Sequence, residues 1–117
     1  MNNKQNVKAI DLNTPATRVL AIGSFTEKAM NAAKRLPVMT KEVPATLRLY
    51  LLGKIEQWFI KPDLSGPVFI MNATTAEEAR ELLDELPLGL EKMMNFELIP
   101  LGPLTPLRLL LNDQLAD

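Results

Sequence analysis

The sequence predicts an α+β fold: a four-stranded antiparallel sheet that carries its helices on one face. Two observations carry that prediction. Four short runs rich in β-branched and aromatic residues are separated by stretches of helical period, in the order β, helical region, β, β, α, β. The chain also has only 117 residues, 47% of them apolar, which is enough for one core and too few for two domains with a cleft between them.

The first strand is the run Arg18-Val19-Leu20-Ala21-Ile22-Gly23-Ser24, ended by Gly and Ser. Residues Thr26 to Leu36 have Ala, Met and Leu at loosely helical spacing and read either as a helix or as an ordered loop, with Pro37 as the stop. Thr40 then suits a helix cap, with Glu42 in the first turn and Pro44 near the start, and the helix runs to Leu52 and stops at Gly53. Val43, Leu47, Tyr50 and Leu51 fall on one helical face and form the expected core stripe. Leu49 and Leu52 fall off it, so a second surface is needed to cover this helix.

Ile55 to Ile60 is the second strand and Val68 to Ala73 the third, joined through the turn residues Lys61 to Pro67. Thr75-Ala76-Glu77-Glu78 has the spacing of a capping box. It opens a helix with Ala79, Leu82, Leu83 and Leu86 on one face and charges on the other, ended by Pro87. Phe96 to Leu101 is the fourth strand, and Pro100 marks its far end as a sheet edge or a departure point. The tail that follows holds six leucines from Leu101 to Leu111 and is expected to lie along a neighbouring subunit, the alternative being its own sheet.

This order is the ferredoxin-like split βαβ arrangement. Its sheet has one uncovered face, yet the second strand is apolar on both sides, Ile55 and Phe59 against Trp58 and Ile60. Two sheets packed face to face solve this, giving a dimeric α+β barrel and an expected homodimer or multiple of dimers. Residues 1–16 are then a loose N-terminal arm, 17–101 the barrel domain and 102–117 the apolar tail.

Composition narrows the chemistry. With 13 basic and 14 acidic side chains the net charge is -1, which provides no basic field for nucleic acid or for an anionic membrane surface. No run reaches the roughly 18 apolar residues of a bilayer span. The first sixteen residues lack the apolar stretch of a secretory signal, so a cytoplasmic location is expected. There is no Cys and no His, which removes thiol nucleophiles, imidazole bases and the usual metal ligands. Carboxylates, Lys, Tyr and amides remain, and neither a metal nor a cofactor is expected.

Three stretches carry a resemblance: Leu49-Tyr50-Leu51-Leu52-Gly53-Lys54-Ile55-Glu56-Gln57-Trp58-Phe59, Ala76 to Leu88 with its Leu86-Pro87-Leu88, and Met94-Asn95-Phe96-Glu97-Leu98-Ile99-Pro100-Leu101. A helix ending in Gly-Lys before a strand, "LPL" after an acidic helix and a last strand ending in "PL" are similar to the muconolactone isomerase-like proteins of the dimeric α+β barrel superfamily. The likeness spans about residues 17 to 108. It implies a proton shift within a lactone or similar unsaturated small molecule, without cofactor or metal, and it places a Glu of the isomerase first helix on Glu42. The isomerases have His and further Trp or Arg on the following strand, where this chain has Glu56, Gln57, Trp58 and Phe59. That difference argues against muconolactone itself as substrate.

Each candidate residue has two readings. Glu42 is a general base if packing raises its pKa, or a solvated first-turn Glu. Lys54 offsets developing negative charge, or snorkels at a helix end. Tyr50 and Trp58, the only Tyr and Trp, orient a small ring or fill core and interface. Gln57 and Asn72 are amides within apolar strand patterns and pair with a ligand or with backbone. Glu56, on the face of Trp58, and Glu97 are possible second carboxylates, or sheet-edge charges. The functional expectation is a cofactor-independent isomerase or cyclase acting on a small lactone, aromatic or polyketide-like molecule; the competing one is a non-catalytic binding or assembly module.

Overall fold

In a computed structural model that describes residues 11–111, strand β1 (Arg18–Phe25) leads through a 3-10 turn (Glu27–Met30) into helix α1 (Ala32–Leu51). Strands β2 (Ile55–Ile60) and β3 (Pro67–Met71) follow, then α2 (Ala76–Asp84), a short α3 (Pro87–Leu90), strand β4 (Met94–Leu101) and a last 3-10 segment (Thr105–Leu110). The strands form one antiparallel sheet in the order β2-β3-β1-β4. The chain is thus an α+β fold built on an antiparallel four-stranded sheet. No described helix is long and apolar enough to cross a membrane. Residues 1–10 of the expected arm and 112–117 of the expected tail lie outside the described residues.

The core lies between the helices and one face of the sheet, where Val19, Ala21, Phe69 and Met71 meet Ala79, Leu83 and Leu86. Three rings run across this face. Trp58 meets Phe69 edge-on at 6.2 Å, and Phe69 stacks on Phe96 at 5.7 Å. Phe69 and Phe96 belong to strands separated by β1, and they meet because β1 carries only Ala21 and Gly23 beneath them. A Cβ on Gly23 would lie 2.9 Å from the Phe96 ring, so glycine is what admits the stack.

Helix α1 departs from the sequence expectation in start and in face. It begins at Ala32, capped by the Asn31 side chain accepting from the Lys34 N–H at 3.2 Å, and it passes through Pro37 and Pro44. Pro37 is therefore no stop and Thr40 no cap; the Thr40 hydroxyl donates back to the Pro37 carbonyl at 2.7 Å. Each proline removes one ladder bond, a cost of about 3 kcal/mol in an unsupported helix, which here is offset by an inward stripe of Val38, Met39, Glu42, Ala45, Thr46 and Leu49. The expected stripe of Val43, Leu47 and Tyr50 points outward, each residue 45–48% exposed, and Leu51 is exposed with it. The small Ala45 and Thr46 let the helix lie close to a sheet face already filled by aromatic rings, which the bulkier stripe would not.

Strand β2 also breaks the simple alternation. Ile55 pairs with Met71 but Gln57 with Ile70, so Glu56 is the extra residue of a β-bulge. Trp58 thereby joins Ile55 and Ile60 on the core side, while Gln57 and Phe59 share the opposite face with Ile70 and Val68. The expected grouping of Ile55 with Phe59, and of Glu56 with Trp58, does not hold. Glu56 instead reaches across β3 to Arg18 at 2.9 Å, a pair of half-exposed side chains. Among the described residues no helix covers this second face, which presents Leu20, Ile22, Val68 and Ile70 half-buried and Phe59 and Leu101 exposed.

Helix α2 carries the expected cap: Thr75 accepts from the Glu78 N–H at 3.0 Å, and Glu78 accepts from the Thr74 N–H at 2.9 Å. It ends at Asp84, and Pro87 opens α3 rather than merely closing what precedes it. The described part of the tail lies against the chain's own N-terminal segment, where Thr105 bonds Thr14 and Leu12 and Arg108 donates to the Asp11 carbonyl. Leu104, Leu107, Leu110 and Leu111 stay exposed there.

Candidate functional site

Glu42 sits mid-helix on the inward stripe, 7% exposed, one turn before the buried Thr46. Its partner arises from the restart of the chain at Pro87. Leu88 is at the second position of α3, where a backbone N–H has no acceptor within the helix. Glu42 Oε1 accepts that N–H at 2.8 Å and so ties α1 to α3. On the other side, the Thr46 hydroxyl lies 2.8 Å from the Glu42 carbonyl oxygen and 3.2 Å from Oε2. Both contacts are made from the Thr46 hydroxyl as donor, the closer one to the carbonyl and the longer one to Oε2.

Burial lifts the Glu42 carboxyl above its ordinary 4.5, and the Leu88 N–H and the Thr46 hydroxyl pull against it, with burial the larger effect. Among the described residues the one salt bridge is Arg18 to Glu56, so no cation is paired with Glu42.

Next to the carboxyl is a cavity of about 110 Å³ between α1 and the upper end of the sheet. Phe25, Met39, Trp58, Ile60, Phe69 and Met94 supply its walls; Glu42 is its one ionisable side chain and Thr46 the other polar one. Trp58 is a shared partition. On its outer side, Leu47, Tyr50, Glu56, Gln57 and Phe59 line an open groove along the β2 edge.

The six expected site residues therefore divide. Glu42 and Trp58 share the cavity, and Tyr50, Gln57 and Trp58 share the outer groove. Lys54 is exposed at the far end of α1 and lines neither. Asn72 is beside it, its side-chain amide donating to the Gly53 carbonyl at 3.0 Å, so that it fixes the turn into β2. Sequence reasoning missed Thr46 and Leu88. The first was legible in the i, i+4 spacing from Glu42, while the second acts through its backbone and leaves no mark on residue type. Among the described residues no group of three or more Cys, His, Asp or Glu side chains converges.

No protein-family model matches the chain, and no curated protein matches it at a significant level.

Proposed function

We propose that this chain is a cofactor-independent isomerase or cyclase of the muconolactone isomerase type, in which Glu42 moves a proton within a small, uncharged, largely apolar molecule held against Trp58. The observation that carries this reading is the lone carboxyl, with Thr46 beside it, on the wall of a cavity whose other side chains are apolar. A base of raised pKa works near neutrality, where an ordinary carboxylate is too weak an acceptor. In the ionised form Oε2 accepts a proton from an acidic C–H of the ligand and leaves an enolate; returning the same proton to another carbon completes an isomerisation with nothing consumed. Leu88 holds Oε1, so that Oε2 does the transfer. Lys54 and Asn72 have no part in this scheme, and Tyr50 and Gln57 belong to the outer groove.

The test follows solvent deuterium. Unsaturated lactones and cyclic ketones are incubated with the protein in deuterated water, and label entering the acidic C–H position is read by NMR. The native chain is expected to catalyse exchange on at least one of them, and Glu42→Gln to slow it by about 100-fold. Equal exchange by the variant removes Glu42 from the mechanism.

A homodimeric, ferredoxin-like barrel is the assembly we infer. The all-antiparallel order β2-β3-β1-β4 and the uncovered apolar face with Leu20, Ile22, Val68 and Ile70 support it. Light scattering on the native chain is expected to give a dimer or a multiple of dimers, and Ile70→Lys a monomer. The same face favours a second reading, an assembly module without catalysis, and a dimer that exchanges no ligand proton would select it.

A further inference from the structure

A second concavity, of about 550 Å³, lies between the first half of α1 and α3, on the opposite side of the α1–α3 contact from the Glu42 cavity. It falls within the roughly 300–1,000 Å³ of small-molecule sites. Its rim carries Lys28, Lys34 and Lys41 against one acid, Glu91, although the chain as a whole is slightly acidic. Lys34 and Lys41 are two helical turns apart with Val38 between them, so both stand on one side of α1. The first turn of the helix contains no acid to neutralise them, and none of these lysines is ion-paired among the described residues. The Lys28 ammonium is already bent inward, donating to the Glu91 carbonyl at 2.7 Å.

The floor is apolar. Val38, Leu90 and Met93 form it, with Pro37 and Pro87 at its ends. Leu90 stands 67% exposed at its edge. An inorganic anion would satisfy the ammonium groups and leave this floor wet; a neutral hydrocarbon would cover the floor and leave the charges unused. We infer that the groove binds a small amphipathic anion, a medium-chain carboxylate being the simplest, with its headgroup among Lys28, Lys34 and Lys41 and its chain on Val38, Leu90 and Met93. Charge complementarity and an apolar floor select this class over a nucleic acid, for which a net charge of -1 provides no basic field.

The test is an amide-resolved NMR titration of the full chain with decanoate, decanol and a short glutamate oligomer. Decanoate is expected to give saturable shifts along 34–41 and 87–93. Decanol is expected to bind about tenfold more weakly, as is decanoate to the Lys34→Gln/Lys41→Gln double variant, in line with two lost charge-assisted contacts. Lys61→Gln, remote from the groove, is expected to leave the affinity unchanged, and the spectra themselves report that each variant is folded. The inference is overturned by absence of saturation, by equal affinity for decanol, by an unaffected double variant, by shifts centred on Trp58 and Phe69 instead, or by tighter binding of the glutamate oligomer.

Discussion

Replacing Glu42 by Gln and by Ala separates what its two oxygens do. In Glu42→Gln the amide oxygen keeps the Leu88 N–H, and the new NH2 group faces the Thr46 oxygen that Oε2 approaches at 3.2 Å. The variant thus copies the protonated acid. In Glu42→Ala the buried Leu88 N–H loses its acceptor, at a cost of about 1–3 kcal/mol, or a drop of very roughly 4 °C in melting temperature for each kcal/mol in a domain of this size. The pH dependence is the sharper readout. Because burial raises the Glu42 pKa in the folded state, that state holds more protons than the unfolded chain from about the ordinary 4.5 upward. Native stability then falls as pH rises from the unfolded pKa to the folded one, by about 1.4 kcal/mol for each pH unit that separates the two. Gln does not titrate, so the stability of Glu42→Gln relative to the native protein should be near zero at about pH 4 and should grow in favour of the variant toward about pH 8. Urea melts across that range measure it directly, with equal slopes against denaturant confirming that only stability has changed. A gap that stays flat with pH, or that turns against Gln at high pH, would refute the reasoning, because it would mean that the Leu88 and Thr46 bonds outweigh burial and the carboxylate is the form the fold prefers.

Two further substitutions test parts of the frame. Gly66→Ala would place a Cβ 2.2 Å from the Gly23 carbonyl oxygen, and since the three atoms it would meet, in Gly23 and Ser24, are all backbone, the expected loss is about 3 kcal/mol in urea melts; a loss under about 1 kcal/mol would show that the β2–β3 turn yields freely. Asn72→Ala removes the bond to the Gly53 carbonyl at an exposed turn, so stability should fall by only about 0.5–1 kcal/mol and proton exchange should not change. A loss of exchange comparable to that of Glu42→Gln would return Asn72 to the site.

The elements that are plain in the sequence are those whose signals are local. Thr75 to Glu78 specify a cap by their own side chains, and the turn chemistry of Lys61 to Pro67 marks the β2–β3 connection. Helix α1 is not legible in this way, because Pro37 and Pro44 are local breakers overruled by packing from strands far away in sequence. The inward turn of Ala45 and Thr46, in place of the larger Val43 and Leu47, depends on how much room the Trp58–Phe69–Phe96 row leaves, which no helical period encodes. The bulge at Glu56 then moves Trp58 to the core side, and with it the partition between the Glu42 cavity and the outer groove. Glu42 stands out in the sequence as a residue of interest, but its surroundings do not: Leu88 enters through a backbone N–H, and Lys54 lies at the wrong end of the sheet.

The bulge has one more consequence, for what the sheet offers at its borders. The outer strands β2 and β4 each present a row of backbone donors and acceptors, flanked by apolar side chains such as Phe59, Ile60 and Ile99, and such rows template unlimited strand addition. On β2 the extra residue at Glu56 puts the row out of step, and on β4 Pro100 removes a donor. Each border therefore carries its own interruption against fibrillar growth, while the broad apolar face between them has none. Edge-to-edge stacking, which has no natural end, is thus disfavoured at both borders of the sheet.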